Sequence, residues 1–337
     1  MNTKRRIGPF EVGPIGLGCM CLSYGYGAPK ELPEARALLA RAVDLGIDFF
    51  DTATIYGSGD NEVLVGQALK PHRAKLTIAS KGGMRFVDGK RAIDGSPTAL
   101  RRDVEASLAR LQLDVIDLYY LHRLDPKVPV EDSVGALADL VRQGKLRAIG
   151  LSEVSGATLR RAHAIHPIAA VQNEYSLWTR EPEIGVLPAC RELGIALVAF
   201  SPLARAFLCD ALHDPAQQLQ PGDLRLTMPR FDAGNYPKNL RLLEPYRRLA
   251  AEAGCTMGQL ALAWLLAKEP LAIPIPGTTN LAHLDENHTA AGVAISSDLV
   301  ARLDALINNQ TVAGARYNDV AQRDIDTETF PRGGSLQ

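Results

Sequence analysis

Eight short apolar runs, each followed by a stretch with helical patterning, recur along the chain, and no other feature narrows the choice of fold so far. They lie at residues 15–18, 48–51, 76–80, 115–121, 146–150, 169–172, 195–200 and 271–275. The runs are short and continuous rather than alternating, as strands buried on both faces should be. Residues 33–45 place Ala35, Leu38, Leu39, Ala42 and Val43 on one helical stripe that stops at Gly46. Residues 97–111 follow Ser96, an expected N-cap, with Pro97 in the first helical position. Residues 130–143 end at Gly144. Residues 155–163, 182–193 and 256–268 read the same way.

Successive runs begin roughly 25 to 40 residues apart, enough for a strand, a helix and two loops. Eight strand-then-helix units in one direction predict an α/β fold closed into a (β/α)8 barrel. The rival is a doubly wound sheet, which would carry GxGxxG after its first strand. Here Gly16-Leu17-Gly18 is followed by Cys19, Met20 and Cys21. Residues 4–12 predict a hairpin that plugs the bottom of the barrel. The last gap, before the eighth run, is far longer than the others. It is read as an irregular loop at 202–236 and an extra helix at 237–253. At about 150 residues per domain, 337 residues would make two. A barrel of this kind is one unit, so a single domain over 1–337 is expected, with 311–337 as a polar tail over the surface or the mouth.

Composition excludes several functions. Lys+Arg is 37 and Asp+Glu 38, so no basic excess supports a grip on nucleic acid or an anionic membrane. The longest apolar runs fall far short of the ~20 residues of a membrane span. The first ten residues carry charge and no apolar core, unlike a secretion signal. The five cysteines, Cys19, Cys21, Cys190, Cys209 and Cys255, form no CxxC pair and do not cluster with histidines. A disulfide framework and a metal site are therefore not expected, and a reducing cytoplasm is. The expected partner is a small molecule; oligomeric state is left open.

The chemistry is expected where barrel strands end, on their C-terminal side. The second run ends in Asp51, with Thr52 and Tyr56 beyond it, and the third in Ser80 and Lys81. His122 and Arg123 close the fourth, Ser152 and Glu153 the fifth, Gln172 and Asn173 the sixth, and Ser201 the seventh. The eighth runs into Pro276, Gly277 and Thr278, so polar residues gather at one end of seven successive strands. A phenol has a pKa of about 10 and holds its proton tightly. An ammonium beside Tyr56 would favour the phenolate, and Asp51 would keep Lys81 charged and in place. His122 would hydrogen-bond a substrate oxygen and turn it toward Tyr56. That arrangement donates a proton to a carbonyl, and the missing hydride calls for a nicotinamide or flavin.

These residues resemble the aldo-keto reductases over roughly 4–310. The resemblance rests on Asp51-Thr-Ala-x-x-Tyr56-Gly57, Asn61-Glu62-x-x-Val65-Gly66, Lys81, Asp117-Leu-x-x-x-His122 and Gly150-x-Ser152. It continues in Gln172-Asn-x-Tyr175, Ser201-Pro-Leu203, Ile275-Pro-Gly277-Thr278 and Glu286-Asn287. His122-Arg-Leu-Asp, Leu151-Ser-Glu and the segment from Glu174 to Arg180 look most like the perakine-reductase-like branch. The resemblance implies an NADP(H)-dependent carbonyl reductase, with NAD(H) possible. It implies Tyr56 as general acid/base with Asp51, Lys81 and His122. Ser152, Glu153 and Gln172 would contact the nicotinamide carboxamide, and Tyr175 would stack on its ring. Ser201, Pro202 and Leu203 would meet the pyrophosphate. Ile275, Gly277, Thr278, Thr279, His283, Glu286 and Asn287 would surround the adenosine end. Tyr24, Tyr26 and Trp178 are expected at the substrate pocket.

Three positions depart from the family. Glu153 stands where many relatives have Asn. Ala204-Arg205-Ala206 replaces a Gly-Arg-Gly. No Lys or Arg lies between Gly277 and Asn287, where NADPH-specific members carry one. Two other readings stand beside reduction: NAD-dependent alcohol oxidation, and a cofactor-sensing regulatory subunit with little turnover.

Overall fold

The computed structural model describes residues 4–331. Residues 332–337 of the expected tail lie outside them, as do residues 1–3. Elements are numbered in chain order. An antiparallel hairpin of β1 (Arg5–Ile7) and β2 (Phe10–Val12) opens the fold. The barrel strands begin with β3 (Leu17–Gly18), β4 (Phe49–Asp51) and β5 (Thr77–Gly82). A second hairpin, β6 (Met84–Val87) with β7 (Lys90–Ile93), follows. Then come β8 (Ile116–Leu121), β9 (Leu146–Ser152), β10 (Ile168–Glu174), β11 (Ala196–Phe200) and β12 (Ala272–Pro274). The eight barrel strands pair in parallel in the order β3-β4-β5-β8-β9-β10-β11-β12. Backbone hydrogen bonds from Gly16 to Pro274 (3.0 Å) and from Gly18 to Pro276 (3.4 Å) join first strand to last and close the ring. The eight expected runs overlap these eight strands.

Helices α1 (Leu32–Asp44), α2 (Asp60–Leu69), α3 (Pro97–Leu111), α4 (Val130–Arg142), α5 (Gly156–Ile165) and α6 (Val186–Leu193) follow the first six barrel strands in turn. Local chemistry starts several of them. Ser96 accepts from the Ala99 amide and Ser155 from that of Thr158, as N-cap residues do. Between β11 and β12 run α7 (Pro215–Gln218), α8 (Tyr236–Leu240), α9 (Leu243–Glu252) and α10 (Met257–Lys268). The last of these opens on a Thr256–Gln259 capping box. The extra helix expected at 237–253 is therefore two, broken at Arg241 and Leu242. After β12 come α11 (Leu281–Thr289), α12 (Ser297–Leu306) and α13 (Asp319–Gln322). Sequence patterning does not mark α2, α11, α12 or the β6–β7 hairpin.

Alternate residues of the strands point into the ring. Phe49, Ala79, Leu118, Tyr120, Ala170, Val198 and Ile273 fill the interior, and Ile7 and Val12 of the first hairpin join them from below. A Cβ at Gly150 would lie 2.5 Å from the Tyr120 ring, so glycine there makes room for it. The Arg5 guanidinium caps the carbonyls of Leu266, Glu269, Pro270 and Ala272 at that lower rim. Outward residues such as Tyr119, Val171 and Leu197 pack against the helices. With its floor filled, the barrel is open only at the C-terminal ends of its strands. Among the described residues no single helix is long and apolar enough to cross a membrane.

Candidate active site

The end of β5 carries Lys81 into a buried position, 1% exposed. Its ammonium bonds the Asp51 carboxylate at the end of β4, the Thr52 carbonyl at 2.8 Å and the Tyr56 hydroxyl at 3.3 Å. Gln172, at the end of β10, donates to the second Asp51 oxygen at 2.8 Å. Every acceptor around the ammonium is fixed by a strand or the turn after it. Burial opposes the charge on Lys81, but Asp51 and Tyr56 outweigh it and hold its pKa above the usual lysine range.

Tyr56 sits on the short turn Tyr56–Gly59 after β4. Its ring meets that of His122 edge-on, with centroids 5.9 Å apart, and Tyr24 lies parallel to it at 6.4 Å. Burial pushes the Tyr56 pKa up, and Lys81 pulls it only part of the way back. The net direction is upward, where the sequence alone led to an expected fall. Desolvation is the larger effect, so the resting phenol keeps its proton. Burial drives the His122 pKa well down, and Arg123 and Lys81 add to this, so the imidazole is neutral. Its Nδ1 is buried without a hydrogen-bond partner among the described residues.

Asn61 and Glu62, part of the motif after Tyr56, serve the frame. Thr52 donates to the Asn61 amide oxygen at 2.6 Å, and the Asn61 nitrogen reaches the Cys19 carbonyl at 2.9 Å. Glu62 accepts from Ser80 at 2.5 Å and Arg110 at 2.6 Å. These bonds tie the turn bearing Tyr56 to the ends of neighbouring strands.

A cleft of about 670 Å³ opens above this group, within the ~300–1,000 Å³ of small-molecule and cofactor sites. Asp51, Tyr56 and His122 form one end, with Ser152 and Gln172 in the wall. Ser201, Pro202 and Leu203 lie along it, and Ile275, Gly277, Thr278, Thr279, His283, Glu286 and Asn287 line the far part. The Asn287 side chain is mostly buried, yet hydrogen-bonds no protein group among the described residues. The volume and the polar side chains along this lining fit a nicotinamide cofactor beside a small substrate.

The chain matches the aldo/keto reductase family over residues 14–308. It belongs to that family. A probable aldo-keto reductase of Glycine max is 44% identical over 312 residues, covering 91% of this chain and 89% of the relative. The glycerol dehydrogenase of Gluconobacter oxydans superposes with a TM-score of 0.83 at 25% identity, covering 98% of this chain and 99% of that one. An aldo-keto reductase of Bacillus halodurans, solved in its holo form, gives 0.75 at 26% identity, covering 95% and 99%. The chain is thus an oxidoreductase acting on carbonyl or alcohol groups, in a family that uses nicotinamide cofactors.

Three expected pocket residues of this aldo-keto reductase lie elsewhere. Tyr175 is fully buried against Trp264 of α10, 5.5 Å between ring centroids, and its hydroxyl donates to Glu183. Gln172 and Glu174 take the inward positions at this end of β10, which leaves Tyr175 facing the helices. Trp178 stacks on Phe207 at 4.3 Å, away from the cleft. Glu153 is buried under the tail, where it receives two bonds from Arg316 (2.6 and 2.9 Å), one from Thr327 and one from the Glu174 amide. Its backbone is left-handed (φ +55°), and its carboxylate is committed to these partners. Burial raises its pKa, but Arg316 more than offsets this and holds it below the usual range.

Reading by motif missed other cleft residues. Phe200 continues the inward series Ala196–Val198 and lines the cleft, so the two-residue period could have found it. Met84 and Arg91 arrive on the unmarked hairpin, and Tyr317 and Ile325 on the tail; Tyr24 and Tyr26 line the mouth as expected. The loop after β11 is left-handed at Ala204, Arg205 and Ala206 (φ +51°, +56° and +76°) although it holds no glycine. Arg205 anchors it, bonding Glu174 and Tyr26 at 2.8 Å each and Tyr317 at 3.3 Å.

Proposed function

We propose that the chain reversibly reduces an aldehyde or ketone to an alcohol with NAD(P)H, Tyr56 supplying the proton. The observation that carries this reading is the Lys81 ammonium 3.3 Å from the Tyr56 oxygen, at the end of a cleft shared with His122. A reduced nicotinamide supplies the hydride. Ser152 and Gln172 would hold its carboxamide and Phe200 would flank its ring. Ser201, Pro202 and Leu203 would meet the pyrophosphate, and the residues from Ile275 to Asn287 the adenosine end. Neutral His122 offers one N–H to the substrate oxygen. The Tyr56 proton passes to that oxygen as negative charge builds on it, and Lys81 stabilises the phenolate left behind. Asp51 keeps Lys81 charged through the cycle. Replacing Tyr56 with Phe should lower kcat by about 10²–10⁴-fold and leave cofactor affinity within twofold. Undiminished turnover would remove Tyr56 from this role.

NADPH is the donor that the motif resemblance implies. NAD-linked alcohol oxidation is a second reading, favoured by one observation. Arg205 and Arg225 line the cleft but are paired with Glu174 and Asp223, and 277–287 supplies no Lys or Arg for a 2′-phosphate. Fluorescence titration with NADPH and NADH decides between them. A cytoplasmic site of action belongs to this reading, supported by five cysteines that are all free.

A further inference from the structure

Among the described residues four arginines line the cleft, and three of them are already neutralised. Arg91 pairs with Asp324 at 3.2 Å, Arg205 with Glu174 at 2.8 Å, and Arg225 with Asp223 at 2.7 Å. Arg123 has no carboxylate within 4 Å among the described residues. It is half-buried, and its partners among the described residues are neutral: Nη1 donates to the His122 carbonyl at 2.6 Å and to Ser152 Oγ at 3.1 Å. Those two bonds use one corner of the guanidinium. Nη2 and Nε, which form the fork that grips a carboxylate, have no protein partner among the described residues. The position is set by the fold. Arg123 follows His122 at the end of β8, and Ser152 on neighbouring β9 steadies it beside the reacting end of the cleft. Its charge is felt by Tyr56 and His122, so it lies near where the carbonyl would sit. In the same cleft Tyr24, Ile55 and Met84 form an aromatic and apolar cluster around Tyr56.

We propose that Arg123 is an anion-recognising residue of the substrate site, and that the preferred substrates are carbonyl compounds bearing a carboxylate a few bonds from the C=O on an apolar body. An unpaired guanidinium in a partly desolvated cleft raises the local potential and draws in anions, with bidentate geometry adding selectivity. The proposal rests on the carbonyl-reductase reading of the same site.

The test compares 2-, 3- and 4-carboxybenzaldehyde with their methyl esters, in the wild type and in Arg123→Met and Arg123→Lys. For at least one isomer, wild-type kcat/KM should favour the acid over its ester tenfold or more. That ratio should fall to near one in Arg123→Met and recover in part in Arg123→Lys. Taking a ratio cancels any general loss of activity from disturbing Ser152 or His122. In parallel, calorimetry measures binding of the matching hydroxymethylbenzoates and their methyl esters, which needs no turnover. If esters and acids alike are not reduced by the wild type with NADPH or NADH, the functional reading fails. Tighter binding of a hydroxymethylbenzoate by the wild type than by Arg123→Met would then still support anion recognition. An acid-to-ester ratio at or below one for all three isomers overturns the proposal. So does a ratio unchanged in Arg123→Met. A loss in that variant confined to NAD(P)H affinity would also overturn it, assigning the guanidinium to the cofactor.

Discussion

Lys81 and Asp51 are each almost wholly buried, so neither can lose the other without leaving an uncompensated charge. Lys81→Met should destabilise the fold by about 3–5 kcal/mol, as breaking a buried pair does. Adding Asp51→Asn to that variant should cost much less than the sum of the two single changes. Urea unfolding of the four proteins measures this coupling, and strict additivity would contradict the pairing. These residues were legible because each side chain ends a strand and the chemistry demands the set. Residues chosen by motif alone were less secure. Tyr175 follows Glu174 on an inward-pointing series and must turn outward, whereas Phe200 sits on one and turns in. Glu153 could not be placed from sequence, because its partner Arg316 lies far away in the chain.

The loop after β11 holds three successive non-glycine residues in the left-handed region, each costing about 1–2 kcal/mol relative to a relaxed backbone. Ala206→Gly should relieve that strain and, after the extra entropy of an unfolded glycine, raise stability by about 0.5–1 kcal/mol. A denaturation midpoint that falls instead would place the strain elsewhere. The helices show why some elements were legible and others were not. Ser96, Ser155 and Thr256 announce α3, α5 and α10 through side chains that accept from the first turn. By contrast, α2 starts after Gly59 (φ +105°) with no side-chain cap, and it buries Asn61 and Glu62 along with its apolar residues. Its periodicity is therefore blurred by polar groups whose partners lie on other elements.

Across the whole molecule, the tail is fastened to the barrel by a buried network. Arg316 bridges Glu153 and Glu174, Arg205 joins from the β11 loop, and the Asp326 and Glu328 carboxylates accept from the Ser155 and Gly156 amides at the start of α5. Burial raises the Glu174 pKa, but Arg205, Arg316 and Arg230 override it and hold the group at about 2, against an ordinary 4.5. A depressed carboxyl adds stability that is complete above its unfolded pKa and disappears as pH falls through the folded one. The window here is from about 4.5 down to about 2, and the difference corresponds to about 3 kcal/mol. Unfolding free energy should therefore drop across that range in the wild type and vary less in Glu174→Gln. Parallel pH profiles for the two proteins would contradict the network. The tail's path could not be read beforehand, since its anchors are single residues at the ends of different strands and helices.

That strapping has a practical corollary for anyone handling the protein. Tyr317 and Ile325 form part of the substrate chamber, so the segment that carries them is a working surface and not a dispensable leash. Cutting the chain just ahead of Arg316 would therefore remove part of the chamber wall together with the strap that holds it.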